Sequence, residues 1–141
     1  MRQRAWWGAL LLLMAGCVTP DRAVVVDVDP ASWCERVELR YANPDTITMR
    51  TLRLFLRHDQ RFDEDTLTVQ ITTLSPDSLR VSEYHRLTFH HEQSPAPLKR
   101  VVEVPYRRGV RLTRRGDYRF LITPTRAVRG AEAIGLMIDN E

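Results

Sequence analysis

Residues 46–58, TITMRTLRLFLRH, decide the fold. Leu52, Leu54 and Leu56 recur at every second position, with Thr51, Arg53, Phe55 and Arg57 between and beside them. An extended chain turns successive side chains to opposite faces, so the leucines share one face and the other set shares the second. A helix would need apolar residues three and four apart, and the stretch lacks that spacing. It reads as a half-buried β-strand.

The same period continues outward. After a polar loop, Asp59 to Asp65, TLTVQITTL (66–74) places Leu67, Val69 and Ile71 inward and Thr68, Gln70 and Thr72 outward; two such strands joined by a polar loop predict a meander. Upstream, Glu35 to Tyr41 alternates with Val37, Leu39 and Tyr41 on one side, and the β-branched run AVVVDV (23–28) stops before Pro30, which cannot donate to a ladder. Asn43–Pro44–Asp45 and Ser75–Pro76–Asp77–Ser78 are turn signals. Downstream, Leu79 to His91 carries Leu87 and Phe89, and Arg100 to Tyr106 is a shorter strand that Pro105 pushes toward a sheet edge. Asp117 to Thr123 aligns Tyr118, Phe120 and Ile122, and residues 133–139 close with Ile134, Leu136 and Ile138. Gly109 and Gly116 read as breaks between these last segments. About eight strands and no helical pattern predict an all-β fold, a single antiparallel β-sandwich that is jelly-roll-like.

The first seventeen residues, MRQRAWWGALLLLMAGC, follow a different rule. Arg2 and Arg4 precede an apolar run from Ala5 to Ala15, the charged and apolar regions of a secretory signal, and the run is shorter than the ~20 residues that span a bilayer. Leu13, Met14, Ala15 and Gly16 before Cys17 resemble the lipobox of bacterial lipoproteins, with Met14 where that pattern prefers Leu. This resemblance implies cleavage before Cys17 and acylation of its thiol, and two acyl chains suffice for stable anchoring. The expected organisation is a signal peptide over 1–16, a lipidated tether over 17–22 and a β-sandwich domain over 23–141. Val18, with no acidic run after it, resembles the sorting signal for the outer membrane, facing the periplasm.

Cleavage also removes most of the apparent basicity. The chain carries 21 Lys plus Arg against 18 Asp plus Glu, but Arg2 and Arg4 leave with the signal, giving 19 against 18. A nucleic-acid binder keeps a concentrated positive excess, so that class is disfavoured. With Cys17 acylated, Cys34 has no intramolecular partner and reads as a small buried apolar residue beside Trp33.

No residue set asks for catalysis, a metal or another cofactor. His90 and His91 before Glu92 point to opposite faces of a strand and cannot readily share one ion. Asp63, Glu64 and Asp65 lack the spacing of a calcium loop, and Asp27 with Asp29 is a carboxylate pair without a second domain to form a cleft. His58 and His85 each read as finishing or flanking a strand. The largest one-sign cluster is Arg107, Arg108, Arg111, Arg114, Arg115 and Arg119. Two readings stand for it: a contact surface for phosphorylated headgroups, cell-wall polymer or an acidic partner protein, or a solvated hairpin balanced by Glu103, Asp117 and Glu132.

The order of these features resembles the GldH-type gliding-motility lipoproteins of bacteria that carry the type IX secretion system. The lipobox, Trp33 after the first strand, and Leu56–Arg57 followed by Phe62 match that pattern. So do Gly116, Tyr118 and Phe120, then Arg126 or Arg129, then Ile134, Gly135, Leu136 and Ile138. The segment from Ser82 to Lys99 departs from it, carrying HHEQSPAP where the family has a Gly-rich loop. The resemblance implies a non-enzymatic accessory or assembly component of a motility and secretion apparatus, with envelope proteins as partners and no small-molecule substrate. The alternative from the residues themselves is a carbohydrate-binding β-sandwich, which would need Trp33, Tyr84 and Tyr106 aligned on an open surface.

Overall fold

The structure, a computed structural model, describes residues 22–90 and 100–141. The signal stretch, Cys17, the tether up to Asp21, and His91 with Glu92 lie outside the described residues. Eight strands follow in order: β1 (Arg22–Asp27), β2 (Val37–Asn43), β3 (Met49–His58), β4 (Thr66–Leu74), β5 (Arg80–Thr88), β6 (Arg100–Arg111), β7 (Gly116–Pro124) and β8 (Ala131–Asn140). They form two four-stranded antiparallel sheets, β1-β8-β3-β6 and β2-β7-β4-β5. One rule generates both: β1 pairs with β8, β2 with β7, β3 with β6 and β4 with β5. The chain is a long hairpin of hairpins rolled onto itself, which is the jelly-roll arrangement.

The expected meander is corrected by this topology. β3 and β4 lie in opposite sheets, and residues 59–65 carry the chain across the sandwich. Both strands have one apolar face, and period two is equally satisfied by strands side by side or facing one another across a core. The core sits between the sheets: Leu52, Leu54 and Leu56 of β3, Ile134, Leu136 and Ile138 of β8, Leu67, Val69 and Ile71 of β4, and Leu39, Tyr41, Tyr118, Phe120 and Ile122 of β2 and β7. Trp33, ahead of β2, is buried among them. Its backbone exchanges 2.8 Å hydrogen bonds with Val128, and its indole N–H donates to the Glu35 carbonyl at 2.8 Å.

β6 is a sheet edge, as Pro105 implies, but it does not stop at Tyr106; the expected break at Gly109 is absorbed inside the strand. The register against β3 slips on either side of Leu52, and Gly109 at φ 61° supplies the left-handed step that a bulge uses. Gly130 is constrained more tightly, at φ 84°, because a Cβ there would lie 2.4 Å from the Phe62 backbone nitrogen. That close approach seats Phe62, whose ring stacks on His58 at 4.7 Å. On the outer face of the β1-β8-β3-β6 sheet, the Phe55 ring and the Val25 side chain lie over Gly135.

Candidate functional site

Antiparallel pairing gathers the strand termini at two ends of the sandwich. At one end lie the start of β1 at Arg22, the β2–β3 loop (44–48), the β4–β5 loop (75–79), the β6–β7 turn (112–115) and the end of β8. Polar side chains tie these pieces together. The Arg50 guanidinium, 3% exposed, donates to Asn140 Oδ1 at 2.6 Å and to Asn43 Oδ1 and Asp45 Oδ2 at 3.1 Å each. The Asn43 amide in turn donates to the carbonyls of Leu112 and Arg114 at 3.1 and 2.7 Å. The Arg114 backbone N–H donates to Tyr118 Oη at 3.1 Å, closing the β6–β7 turn. Arg114 Nε also reaches Asp77 Oδ2 at 3.0 Å in the neighbouring loop.

The carboxylates here are held ionised. The Thr48 backbone and hydroxyl, with smaller help from Ile47 N–H and Arg50, keep Asp45 below the usual range. The Ser75 hydroxyl and then Arg114 do the same for Asp77. Glu141 is lowered chiefly by the Thr51 hydroxyl, then by the Gly109 N–H, with Arg108 contributing at longer range.

This end receives Arg108, Arg111, Arg114 and Arg115 of the predicted cluster, but the cluster is not one continuous surface. Arg119 points from the outer face of β7 and makes a two-pronged contact with Glu38 at 2.9 and 2.8 Å. Arg107 is tied to Glu83. The expected balancing carboxylates are also different ones: Glu103 pairs with Arg53 and Glu132 lies 3.4 Å from Arg57, while Glu83, Asp77 and Glu38 serve the cluster. Arg108, Arg111 and Arg115 remain exposed with no carboxylate hydrogen bond among the described residues, and Arg80 joins them from the start of β5. The sequence pattern also missed Ile47 and Leu79, which are 77% and 65% exposed on the loops of this same end. Lone apolar residues inside turn segments carry no periodicity to mark them.

The opposite end holds a cleft of about 400 Å³ between β1 and β2, lined by Asp27, Asp29, Trp33, Cys34, Glu35 and Arg36 among others. Cys34 is exposed there, which corrects its expected burial. Trp33 and Val37 take the buried positions, and the three residues between them are turned outward. Asp27 pairs with Arg57 and Asp29 accepts the Ala31 N–H, while Glu64 of the acidic loop is bound by Arg126. No group of three or more His, Cys, Asp or Glu among the described residues is placed to hold a metal ion.

Along the open edge between β5 and β6, Tyr106 donates its hydroxyl to Glu83 and packs edge-on against His85 at 5.3 Å. Burial, reinforced by Glu83, pushes the Tyr106 phenol up to about 12. His85 therefore lies within β5, not at its end. Trp33 is in the core, Tyr106 turns toward this seam and Tyr84 stands on the outer face, so the three do not form an aromatic platform. Compared with known proteins, the chain matches no family model and no curated sequence.

Proposed function

We propose that the protein is a lipid-anchored, non-enzymatic β-sandwich of the bacterial envelope that acts by contact, as an accessory or assembly component of a larger machine. The observation that carries this reading is the position of Arg22. β1 begins five residues after Cys17, and an extended chain covers at most ~3.5 Å per residue, so a lipid on Cys17 would hold the domain within about 17 Å of its anchor. Such a protein has no stalk and works against the membrane or what is embedded in it. The resemblance of Leu56–Arg57, Gly116–Tyr118–Phe120 and the Gly135 strand to GldH-type lipoproteins makes motility and type IX secretion proteins the first partners to seek. Outer-membrane placement facing the periplasm belongs to the same proposal.

Two measurements test it. Cys17→Ala should abolish incorporation of labelled palmitate and move the protein into the soluble fraction after a high-salt wash; retention through the wash would end the anchor reading. Crosslinking in native envelopes should recover secretion or motility components. Enrichment of glycan polymers without those proteins would replace this function with the carbohydrate-binding alternative.

A further inference from the structure

We propose that the Arg22 end of the sandwich is a membrane-docking face, where Ile47 and Leu79 enter the headgroup layer of an anionic phospholipid bilayer and Arg80, Arg108, Arg111 and Arg115 meet its phosphates. Ile47 and Leu79 are the two largest exposures among apolar side chains of loops at this end, and both are held out by built turns. The Asp45 carboxylate accepts the N–H groups of Ile47 and Thr48 at 3.0 and 2.7 Å and the Thr48 hydroxyl at 2.8 Å. The loop before Leu79 is closed by Ser75 N–H to the Leu79 carbonyl at 3.0 Å and Ser78 N–H to the Ser75 carbonyl at 2.9 Å, with Ser78 at φ 65°. Asp77 and Asn43 join the β4–β5 loop and the end of β2 to the arginine-bearing β6–β7 turn, so apolar tips and charges belong to one hydrogen-bonded network.

The pattern fits a bilayer better than a protein. Protein interfaces have a contiguous apolar centre, whereas here two separate apolar tips stand among basic side chains, which is how interfacial segments meet anionic lipid. Of the carboxylates at this end, Asp45 and Asp77 are engaged by Arg50 and Arg114, and the exposed Glu141 accepts from the Thr51 hydroxyl and from the Gly109 N–H beside Arg108, so Arg80, Arg108, Arg111 and Arg115 stand in excess over Glu141 and Asp117. The proposal rests on the anchored reading for why a membrane is within reach of Arg22, but its chemistry does not need acylation.

The test uses the chain as it stands after signal cleavage, residues 17–141, with Cys17→Ala and Cys34→Ala and a single spin-labelled cysteine at position 47. Val101 at the far end, on the outer sheet face, carries the control label. With phosphatidylcholine–phosphatidylglycerol vesicles, the label at 47 should lose access to an aqueous relaxant and gain access to oxygen, the label at 101 should stay aqueous, and pure phosphatidylcholine should give neither change. Arg108→Glu, Arg111→Glu and Arg115→Glu together should weaken vesicle binding, and with it the shift, by roughly a hundredfold or more. These residues are exposed, so an unchanged circular dichroism spectrum shows that the fold survives. A label at 47 as water-accessible as that at 101 on bound vesicles would overturn the proposal. So would protection of 47 without lipid alongside a doubled mass, which would make a second copy the occupant. Loss of palmitate labelling with this shift intact would defeat only the anchor, whereas acylation without the shift would defeat only the docking face.

Discussion

Arg50 is a charged side chain on the inward face of β3, in line with Leu52, Leu54 and Leu56, and its neighbours make that position tenable. Asn43, Asp45 and Asn140 accept its terminal N–H groups and the Tyr41 ring lies 5.7 Å from its centre, while Nε remains without a partner among the described residues. The planar fork reaches Asn140 through Nη1 and Asn43 with Asp45 through Nη2, a spread that the single ammonium nitrogen of a lysine does not reproduce. Arg50→Ala is expected to cost about 3 kcal/mol, because it leaves the buried Asn43 amide oxygen unpaired and opens a void. Arg50→Lys should recover only part of this. Urea midpoints at unchanged slope check both. Alternation alone places position 50 inward, but not the partners that make a charge acceptable there: Asn140 lies 90 residues away in sequence.

At the scale of elements, β2 and β7 are joined on their outer face by Glu38, which accepts from Arg119 and from Arg40 Nε at 2.6 Å. Arg119, then Arg40, hold its carboxyl at about 2. A carboxylate depressed in the fold binds a proton more readily when unfolded. Its stabilising effect is therefore complete above about pH 4.5 and is lost as pH falls toward 2. Thermal unfolding between pH 5 and pH 2 should show a smaller acid loss in Glu38→Gln than in the parent; equal slopes would remove Glu38 from the acid response. The strand pattern placed Glu38 and Arg40 on one face, whereas the partner strand that supplies Arg119 depends on register. β6 makes the same point differently. A glycine reads as a stop, but a bulge against β3 carries the strand through Gly109.

For the whole molecule, the pairing of β1 with β8 and β2 with β7 joins segments from opposite ends of the described chain, and only β4 with β5 is a local hairpin. Closing such loops costs entropy before any contact repays it, so refolding is expected in the millisecond-to-second range. Stopped-flow circular dichroism measures this directly, and a microsecond main phase would contradict the rolled-hairpin order. The apolar residues that carry the family resemblance, among them Trp33, Leu56, Phe62, Tyr118, Phe120, Ile134, Leu136 and Ile138, are core positions, while Arg57, Gly116 and Arg126 or Arg129 lie outside the core. Their resemblance is one of packing, so it favours a fold more strongly than it identifies a partner. The Arg22 end, by contrast, draws on residues scattered from 22 to 141.

The sequence by itself determined that the chain is strands, which faces of β3 and β4 are apolar, where most turns fall and that Cys17 sits in a lipobox-like setting. Each of these is a local property, set by side-chain alternation or by spacing within a few residues. Only the tertiary structure decided that β3 and β4 face each other across the core, that Trp33 displaces Cys34 from it and that the arginine run divides among three environments. It also gathered Ile47, Leu79 and the exposed Arg80, Arg108, Arg111 and Arg115 at the end where β1 begins. Period two is blind to which sheet a strand joins, and which loops become neighbours follows from that choice alone.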